Sequence, residues 1–79
     1  MIERYRGPRR IRVDGDRLAA LRTRRNLTLA NVATVCGVSR QAVCQWENEQ
    51  SIPDDRALEG LAQIFGEDLN NAVSVKVWE

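Results

Sequence analysis

The stretch from Thr28 to Asn48 constrains the fold more than any other part of the chain. It holds two short segments with helical apolar spacing, separated by Gly37, a residue free to adopt the positive φ that ends a helix. Thr28 precedes the first segment and Ser39 the second, and both residue types cap helix N-termini. The pattern therefore predicts two short helices joined by a tight turn.

The two faces of the second predicted helix differ in chemistry. Val43 and Trp46 lie three residues apart and are expected to face inward. The polar side chains left on the outer face are Arg40, Gln41, Gln45 and Asn48. Long hydrogen-bonding side chains on one helix face are what base reading in the DNA major groove requires. The stretch is therefore predicted to be a helix-turn-helix motif.

These residues also carry a resemblance to a known family. The matching positions are Leu21-Arg22, Leu27-Thr28, Val32-Ala33, Gly37-Val38-Ser39, Val43, Trp46-Glu47-Asn48, Pro53, Leu58 and Leu61-Ala62. In this order and spacing they resemble the phage-repressor and Cro-type helix-turn-helix proteins, also called the XRE family, from about Asp16 to Leu69. The resemblance implies an all-α, five-helix, lambda-repressor-like domain. One position departs from it: Leu29 stands where the family usually has a Gln that helps to hold phosphate, so this contact is absent or made differently.

Capping and stop signals place the remaining helices. The predicted helices are about 16–26, 29–36, 39–48 and 54–65, with one more turn at 67–71. Asp54 is expected to cap the fourth helix and Gly66 to end it. Ile52 is expected to anchor the loop before that helix.

Both ends of the chain alternate between apolar and polar residues, which predicts short terminal strands at about 9–13 and 73–78. A lone strand is not stable, so the tail needs a partner. One candidate is the segment with Ile11 and Val13, and the other is the same strand of a second copy. We favour a homodimer because one recognition helix reads too few base pairs. The predicted interface residues are Val73, Val75, Val77 and Trp78.

Three parts of the chain follow from these elements. Residues 1–14 form a basic N-terminal arm and strand, residues 15–71 a helix-turn-helix DNA-binding domain, and residues 72–79 a C-terminal strand for dimerisation. The arm contains Arg4, Arg6, Arg9, Arg10 and Arg12. Such an arm could follow the DNA backbone or enter a minor groove, or it could be a solvated charged edge.

Charge is distributed unevenly along the chain. Residues 1–46 contain ten Arg and three acids, a net charge of +7, whereas residues 47–79 contain two basic and eight acidic residues, a net charge of −6. The basic half includes the predicted recognition helix, which indicates a polyanionic partner. A solvated charge distribution without a partner is the alternative.

The predicted interface divides into base readers, phosphate contacts and a structural ion pair. Base contacts are assigned to Arg40, Gln41, Ala42 and Gln45, since Arg matches guanine, Gln matches adenine and Ala can touch a thymine methyl. Phosphate contacts are assigned to Ser39, Asn48, Gln50, Ser51, Arg24 and Arg25. The resemblance implies that Arg22 and Glu47 pair between the first and third helices; two unrelated surface charges are the alternative.

Several classes of protein do not fit the composition. The chain has no histidine, and Cys36 and Cys44 are its two cysteines, so a cysteine–histidine zinc site is not expected. Cys36 is expected in the core and Cys44 on the exposed side of the second motif helix. No candidate base stands beside either Cys and no glycine-rich phosphate loop is present, so we expect no enzyme, metal, cofactor or small-molecule ligand. Without a long apolar run or signal peptide, the expected location is the cytoplasm, and the expected origin of the protein is bacterial or phage-encoded.

The sequence therefore predicts a sequence-specific regulator of transcription that binds double-stranded DNA. Repression by a homodimer that occupies an operator is favoured over ligand-controlled switching, because no effector domain fits in the remaining length. The alternative is a protein-interaction module, such as an antitoxin or an inhibitor of another regulator. Leu29 slightly favours that alternative, whereas the polar face of the second motif helix favours DNA.

Overall fold

The computed structural model describes residues 10–76, and for residues 10, 11 and 74–76 it describes the backbone alone. Its elements are β1 (Arg10–Val13), α1 (Gly15–Arg24), α2 (Leu29–Cys36), α3 (Arg40–Glu47), α4 (Asp55–Phe65), a 3₁₀-helix (Gly66–Asn71) and β2 (Val73–Lys76). The motif helices α2 and α3 lie where the sequence predicts them. Within the described chain, no helix has the length and apolar character needed to cross a membrane.

All four α-helices begin in the same way. A side-chain oxygen of the residue before each helix accepts the N–H of the third residue along, which satisfies one of the N–H groups that have no partner within the helix. The capping residues are Asp14, Thr28, Ser39 and Asp54. At α2 the Asn31 side chain also accepts the Thr28 N–H at 2.9 Å, completing a reciprocal capping box. The caps predicted at Thr28, Ser39 and Asp54 are thus confirmed.

Three helices also end in the same way, through a residue in the left-handed region. These residues are Asn26 after α1, Gly37 after α2 and Glu49 after α3, with φ of 59°, 70° and 59°. The N–H of each left-handed residue and the N–H of the residue after it both donate to carbonyls of the last helical turn, as in the Schellman motif. Gly37 is the expected residue type for this position, whereas Glu49 is not.

The core lies where α1, α2, α3 and α4 meet. Its buried apolar residues are Leu18, Leu21, Val32, Ala33, Cys36, Val43, Trp46, Ala57, Leu61, Phe65, Ala72 and Val73. Trp46 is 3% exposed, which confirms the prediction that this aromatic side chain belongs to the core. Helix α4 crosses α2 at Gly60, where a Cβ atom would lie only 2.8 Å from the Cys36 Cα.

The two strands pair with each other in an antiparallel two-stranded sheet. Ile11 lies opposite Val75, and Val13 lies opposite Val73. The sequence left two partners possible for the C-terminal strand. The structure of the single chain contains the pairing with β1 of the same chain. Val73 is 6% exposed and belongs to the core, which leaves it little surface for an interface with a second copy.

Two expectations about local structure need correction. The fifth helical element is a 3₁₀-helix, so the described chain has four α-helices rather than five. Ile52 does not anchor its loop, because it is 57% exposed. The neighbouring Pro53 is fully buried instead. Both residues are apolar, and the direction of the chain as it enters α4 decides which one is covered.

Some predicted residues lie outside the described part of the chain. They are Arg4, Arg6 and Arg9 of the basic arm and Val77 and Trp78 of the tail.

Candidate nucleic-acid interface

The outer face of α3 is a continuous polar stripe. Helical spacing places five side chains on this face, opposite the buried Val43 and Trp46. They are Arg40, Gln41, Cys44, Gln45 and Asn48. We call this set the α3 stripe. It includes the three long side chains that the sequence assigns to base contacts, and it adds Cys44, which was expected on the exposed side but not as part of the interface.

The predicted base readers differ in how far they extend into solvent. Arg40 and Gln41 are exposed, and neither pairs with another described side chain. Gln45 is half-buried, and its Oε1 lies 3.5 Å from the Ser51 hydroxyl, at the limit of a hydrogen bond. Ala42 is half-buried and packs against the core, so its methyl group is only partly available to a base.

The first turn of α3 offers hydrogen-bond donors beside the α3 stripe. The Ser39 Oγ accepts the Ala42 N–H at 3.1 Å, and its own proton remains free to be donated. The N–H groups of Arg40 and Gln41 have no acceptor within the helix. Together with the helix dipole, these donors suit an anionic oxygen such as that of a phosphate.

An ion pair holds α3 against α1. The Arg22 Nε donates to the Glu47 Oε2 at 2.6 Å, and the Nη2 donates to Oε1 at 3.1 Å. The Nη1 of the same guanidinium donates to the Leu27 carbonyl at 3.0 Å. The side chains are only 16% and 11% exposed, so the pair is partly withdrawn from water. The predicted Arg22–Glu47 pair is therefore present as a bidentate contact, and its hydrogen bonds raise the pKa of Arg22 above its ordinary value.

A second contact joins the same two helices. The Glu49 carboxylate accepts the Gly15 N–H, the first of α1, at 3.0 Å. The backbone of Gly15 lies so close to the Glu47 carbonyl that a Cβ atom on Gly15 would overlap it. The C-terminal end of α3 thus contacts the start of α1, in addition to the Arg22–Glu47 pair near the end of α1. We call this contact of Gly15 with Glu47 and Glu49 the α1–α3 joint.

The predicted phosphate contacts fall into two groups. Arg24 is exposed and forms no ion pair with any described residue. Arg25 instead binds the end of α4: its Nη1 donates to the Ile64 carbonyl at 2.8 Å, and its Nη2 pairs with Asp68 at 2.7 Å. These contacts occupy the Arg25 guanidinium, so its assignment to phosphate is less favoured than that of Arg24.

The loop after α3 turns back over the helix. The Asn48 Nδ2 donates to the Cys44 carbonyl at 2.9 Å, so one of the predicted phosphate donors is already used within the chain. The Gln50 N–H donates to the Gln45 carbonyl at 2.8 Å, and the exposed Gln50 side chain follows directly after the α3 stripe. Gln50 and Ser51 thus lie beside Gln45 at the C-terminal end of α3, and their contact with phosphate stays a prediction.

The position that departs from the family has a structural role instead. Leu29, the first residue of α2, is half-buried and packs against the core. Thr28 and Asn31 satisfy each other's N–H groups at this helix start. The N-terminal end of α2 is thus closed by its own side chains and by an apolar contact.

The two cysteines lie in different surroundings. Cys36 is buried against α4, and burial raises the pKa of its thiol above its ordinary value. Cys44 is exposed within the α3 stripe, with its Sγ 3.4 Å from the Asn48 Nδ2. Among the described residues, no group of side chains is arranged to hold a metal ion.

Comparison with known proteins identifies the family. The family described as Helix-turn-helix matches residues 18–70. The match covers more than half of the chain, so the chain belongs to this family, and the resemblance to phage-repressor and Cro-type proteins is confirmed.

A relative gives a more particular comparison. A Pyrobaculum aerophilum protein, which bears the name of an HTH-type transcriptional regulatory protein, is 32% identical over 63 residues. The alignment covers 80% of this chain and 25% of that protein, so the chain spans about a quarter of the relative's length. No solved structure matches the chain significantly.

Sequence reasoning missed the α1–α3 joint. Glu49 follows the last turn of α3 at a position where a left-handed residue is needed, and a Glu there is the one local signal that something holds it. Gly15 lies at the start of α1, where the sequence suggests no contact with α3. Its packing against Glu47 involves residues far apart in sequence, so no spacing rule could have indicated it.

Proposed function

We propose that this chain binds double-stranded DNA sequence-specifically and regulates transcription, with α3 as the recognition helix in the major groove. The observation that carries the proposal is the α3 stripe, which is polar and outward while α3 itself is fixed to α1 by the Arg22–Glu47 pair. A helix held rigidly by its inner face and its C-terminal end can present its outer side chains in one orientation, as base reading requires.

Each part of the predicted interface has a role in this proposal. Arg40, Gln41 and Gln45 contact base edges, and Ala42 supplies a small apolar contact at the start of the helix. Backbone phosphates are bound by donors on either side of the stripe, which fixes the register of the protein on the duplex. These donors are Ser39, Asn48, Gln50, Ser51 and Arg24, with Arg25 as the least favoured member.

We further propose that the protein acts as a repressor and that two copies bind an operator with two half-sites. The half-sites would lie about one helical turn, roughly 10 base pairs, apart. Occupation of such a site excludes other proteins sterically. The relative's name as a transcriptional regulatory protein supports the regulatory role, and cytoplasmic location remains a prediction.

Selection of bound sequences from a random DNA pool tests the proposal directly. Gln41→Ala and Gln45→Ala should weaken binding to the selected site by roughly 1–3 kcal/mol and leave non-specific binding unchanged. Arg40→Ala should also relax the preference at one base pair. The control is Gln63→Ala, the same change at an exposed position of α4. Wild-type affinity of all three α3 variants would remove α3 from the interface.

The rival function is a protein-interaction module, such as an antitoxin or an inhibitor of another regulator. The specific observation in its favour is Leu29, which packs against the core at the position of the usual phosphate-holding Gln. A gel-retardation assay on random and genomic DNA distinguishes the two functions. Absence of any retarded species at low salt would favour the protein-interaction module.

A further inference from the structure

Glu49 occupies a backbone conformation that its residue type disfavours. Its φ is 59°, in the left-handed region, where Cβ is crowded by the following carbonyl oxygen. The position is the one after the cap of α3, which glycine most often fills. The chain has Gly37 at the corresponding position after α2. A Glu at the end of α3 therefore needs a contact that offsets its conformational cost.

The contact in the structure is with the first N–H of α1. The Glu49 carboxylate accepts this Gly15 N–H at 3.0 Å, and such a group has no acceptor within its own helix. A negative charge at a helix N-terminus is also favoured by the helix dipole. Glu49 thus adds a second side-chain acceptor at the start of α1, beside Asp14, whose side chain accepts the Arg17 N–H.

The same contact brings the backbones of two helices together. A Cβ atom added to Gly15 would overlap the Glu47 carbonyl and would lie 3.1 Å from the Glu49 Cγ. The α1–α3 joint is therefore a close backbone approach closed by a charged hydrogen bond. The Arg22–Glu47 pair joins the same two helices near the other end of α1.

Two separate contacts between α1 and α3 fix the angle between these helices more firmly than one contact does. With only the Arg22–Glu47 pair and the buried Val43 and Trp46 to hold α3, its C-terminal end could still tilt relative to the start of α1. We infer that Glu49 is a positioning residue: by holding the start of α1 to the end of α3, it sets the angle at which the α3 stripe meets DNA. This inference rests on the proposed function, because the angle matters for recognition only if α3 reads bases.

Three substitutions separate this role from charge and from folding. Glu49→Gln keeps an acceptor oxygen of the same reach and removes the charge. Glu49→Gly removes both the acceptor oxygen and the charge, and glycine adopts the left-handed conformation without strain. Glu49→Asn has the charge of the Gln variant and tolerates the left-handed region, but its side chain is one methylene shorter.

Binding to the selected site should follow the acceptor and not the charge. We expect Glu49→Gln to bind as the wild type does or more tightly, since a negative charge near DNA is lost. Glu49→Gly and Glu49→Asn should bind about tenfold more weakly, the factor of one ordinary hydrogen bond. Their urea midpoints should stay near that of the wild type, because relief of backbone strain compensates for the lost contact. Equal affinities of Glu49→Gly and the wild type, or equal weakening by Glu49→Gln, would overturn the inference.

A measurement without DNA keeps the inference independent of the proposed function. Residual dipolar couplings of backbone amides report the angle between α1 and α3, and amide exchange reports the protection of the Gly15 N–H. In Glu49→Gly we expect a changed angle and much faster exchange at Gly15. In Glu49→Gln we expect an unchanged angle and a smaller increase in exchange, because the hydrogen bond remains but loses its charge. If the wild type bound no DNA, the proposed function would fail, whereas an unchanged angle in Glu49→Gly would overturn the joint itself.

Discussion

Arg22 and Glu47 form the ion pair that joins α3 to α1. Their bidentate contact is largely withdrawn from water, with side-chain exposures of 16% and 11%. Removal of one member leaves the other charge without its partner in a poorly solvated place. Glu47→Gln should therefore lower the free energy of unfolding by roughly 2–4 kcal/mol, somewhat less than for a fully buried pair. Urea denaturation followed by circular dichroism measures the change.

The chain offers a matched control for this prediction. Asp68→Asn removes a carboxylate from the Arg25–Asp68 pair, in which the two side chains are 40% and 57% exposed. Because water screens that pair, the loss should stay below about 1 kcal/mol. Equal losses in both variants would mean that the Arg22–Glu47 pair is no stronger than a surface contact.

Gly60 lets the helices α2 and α4 cross at close range. A Cβ atom there would lie 2.8 Å from the Cys36 Cα and 2.9 Å from its Sγ. Alanine favours a helix over glycine by about 1 kcal/mol, but the overlap with a backbone atom outweighs this gain. We therefore predict that Gly60→Ala lowers the free energy of unfolding by roughly 1–3 kcal/mol, measured by urea denaturation.

A second substitution in the same helix controls for helix propensity. Gln63 is exposed on α4, so Gln63→Ala should change stability by less than about 0.5 kcal/mol. If Gly60→Ala were as stable as the wild type or more stable, α2 and α4 would have room to separate, and the close crossing would not be required for folding.

The salt dependence of DNA binding should reflect how many positive charges of the molecule contact phosphates. Log affinity is expected to fall steeply with log salt concentration, because bound phosphates release counterions. Deletion of residues 1–8 removes Arg4 and Arg6, and should flatten the slope by up to about 2 if both touch phosphates. The strand β1 begins at Arg10 and is retained in this variant.

The control for the salt experiment is Arg56→Ala, which removes one exposed positive charge from α4, outside the predicted interface. Its slope should equal that of the wild type. If deletion of residues 1–8 also leaves the slope unchanged, the arm does not touch DNA, and its arginines belong to a solvated edge.

Assembly into a homodimer is the prediction at the largest scale. The strand β2 pairs with β1 within the chain, and Val73 belongs to the core, so deletion of residues 73–79 would damage the domain itself. Deletion of residues 77–79 is the sharper change, because it removes Val77 and Trp78 and keeps all the described residues of β2. We expect sedimentation to show a dimer for the full chain, and a shift to monomer with weaker operator binding for the shortened one. A full chain that is monomeric at high micromolar concentration without DNA would contradict the dimer.

The sequence by itself determined the features that depend on neighbours in the chain. Thr28 and Ser39 cap α2 and α3, and Gly37 ends α2, because capping contacts join residues only a few positions apart. The inward position of Trp46 and the outward position of Arg40 follow from helical spacing alone. The family resemblance added the Arg22–Glu47 pair, whose members are distant in sequence.

Only the tertiary structure decided which of two neighbouring apolar residues is buried and which partner each charged side chain binds. Pro53 rather than Ile52 is buried, Arg25 binds the end of α4, and Glu49 closes the α1–α3 joint. Residue type permits each of these side chains more than one environment. The choice depends on how the helices pack, and therefore on contacts between residues far apart in sequence, which local propensity and spacing do not encode.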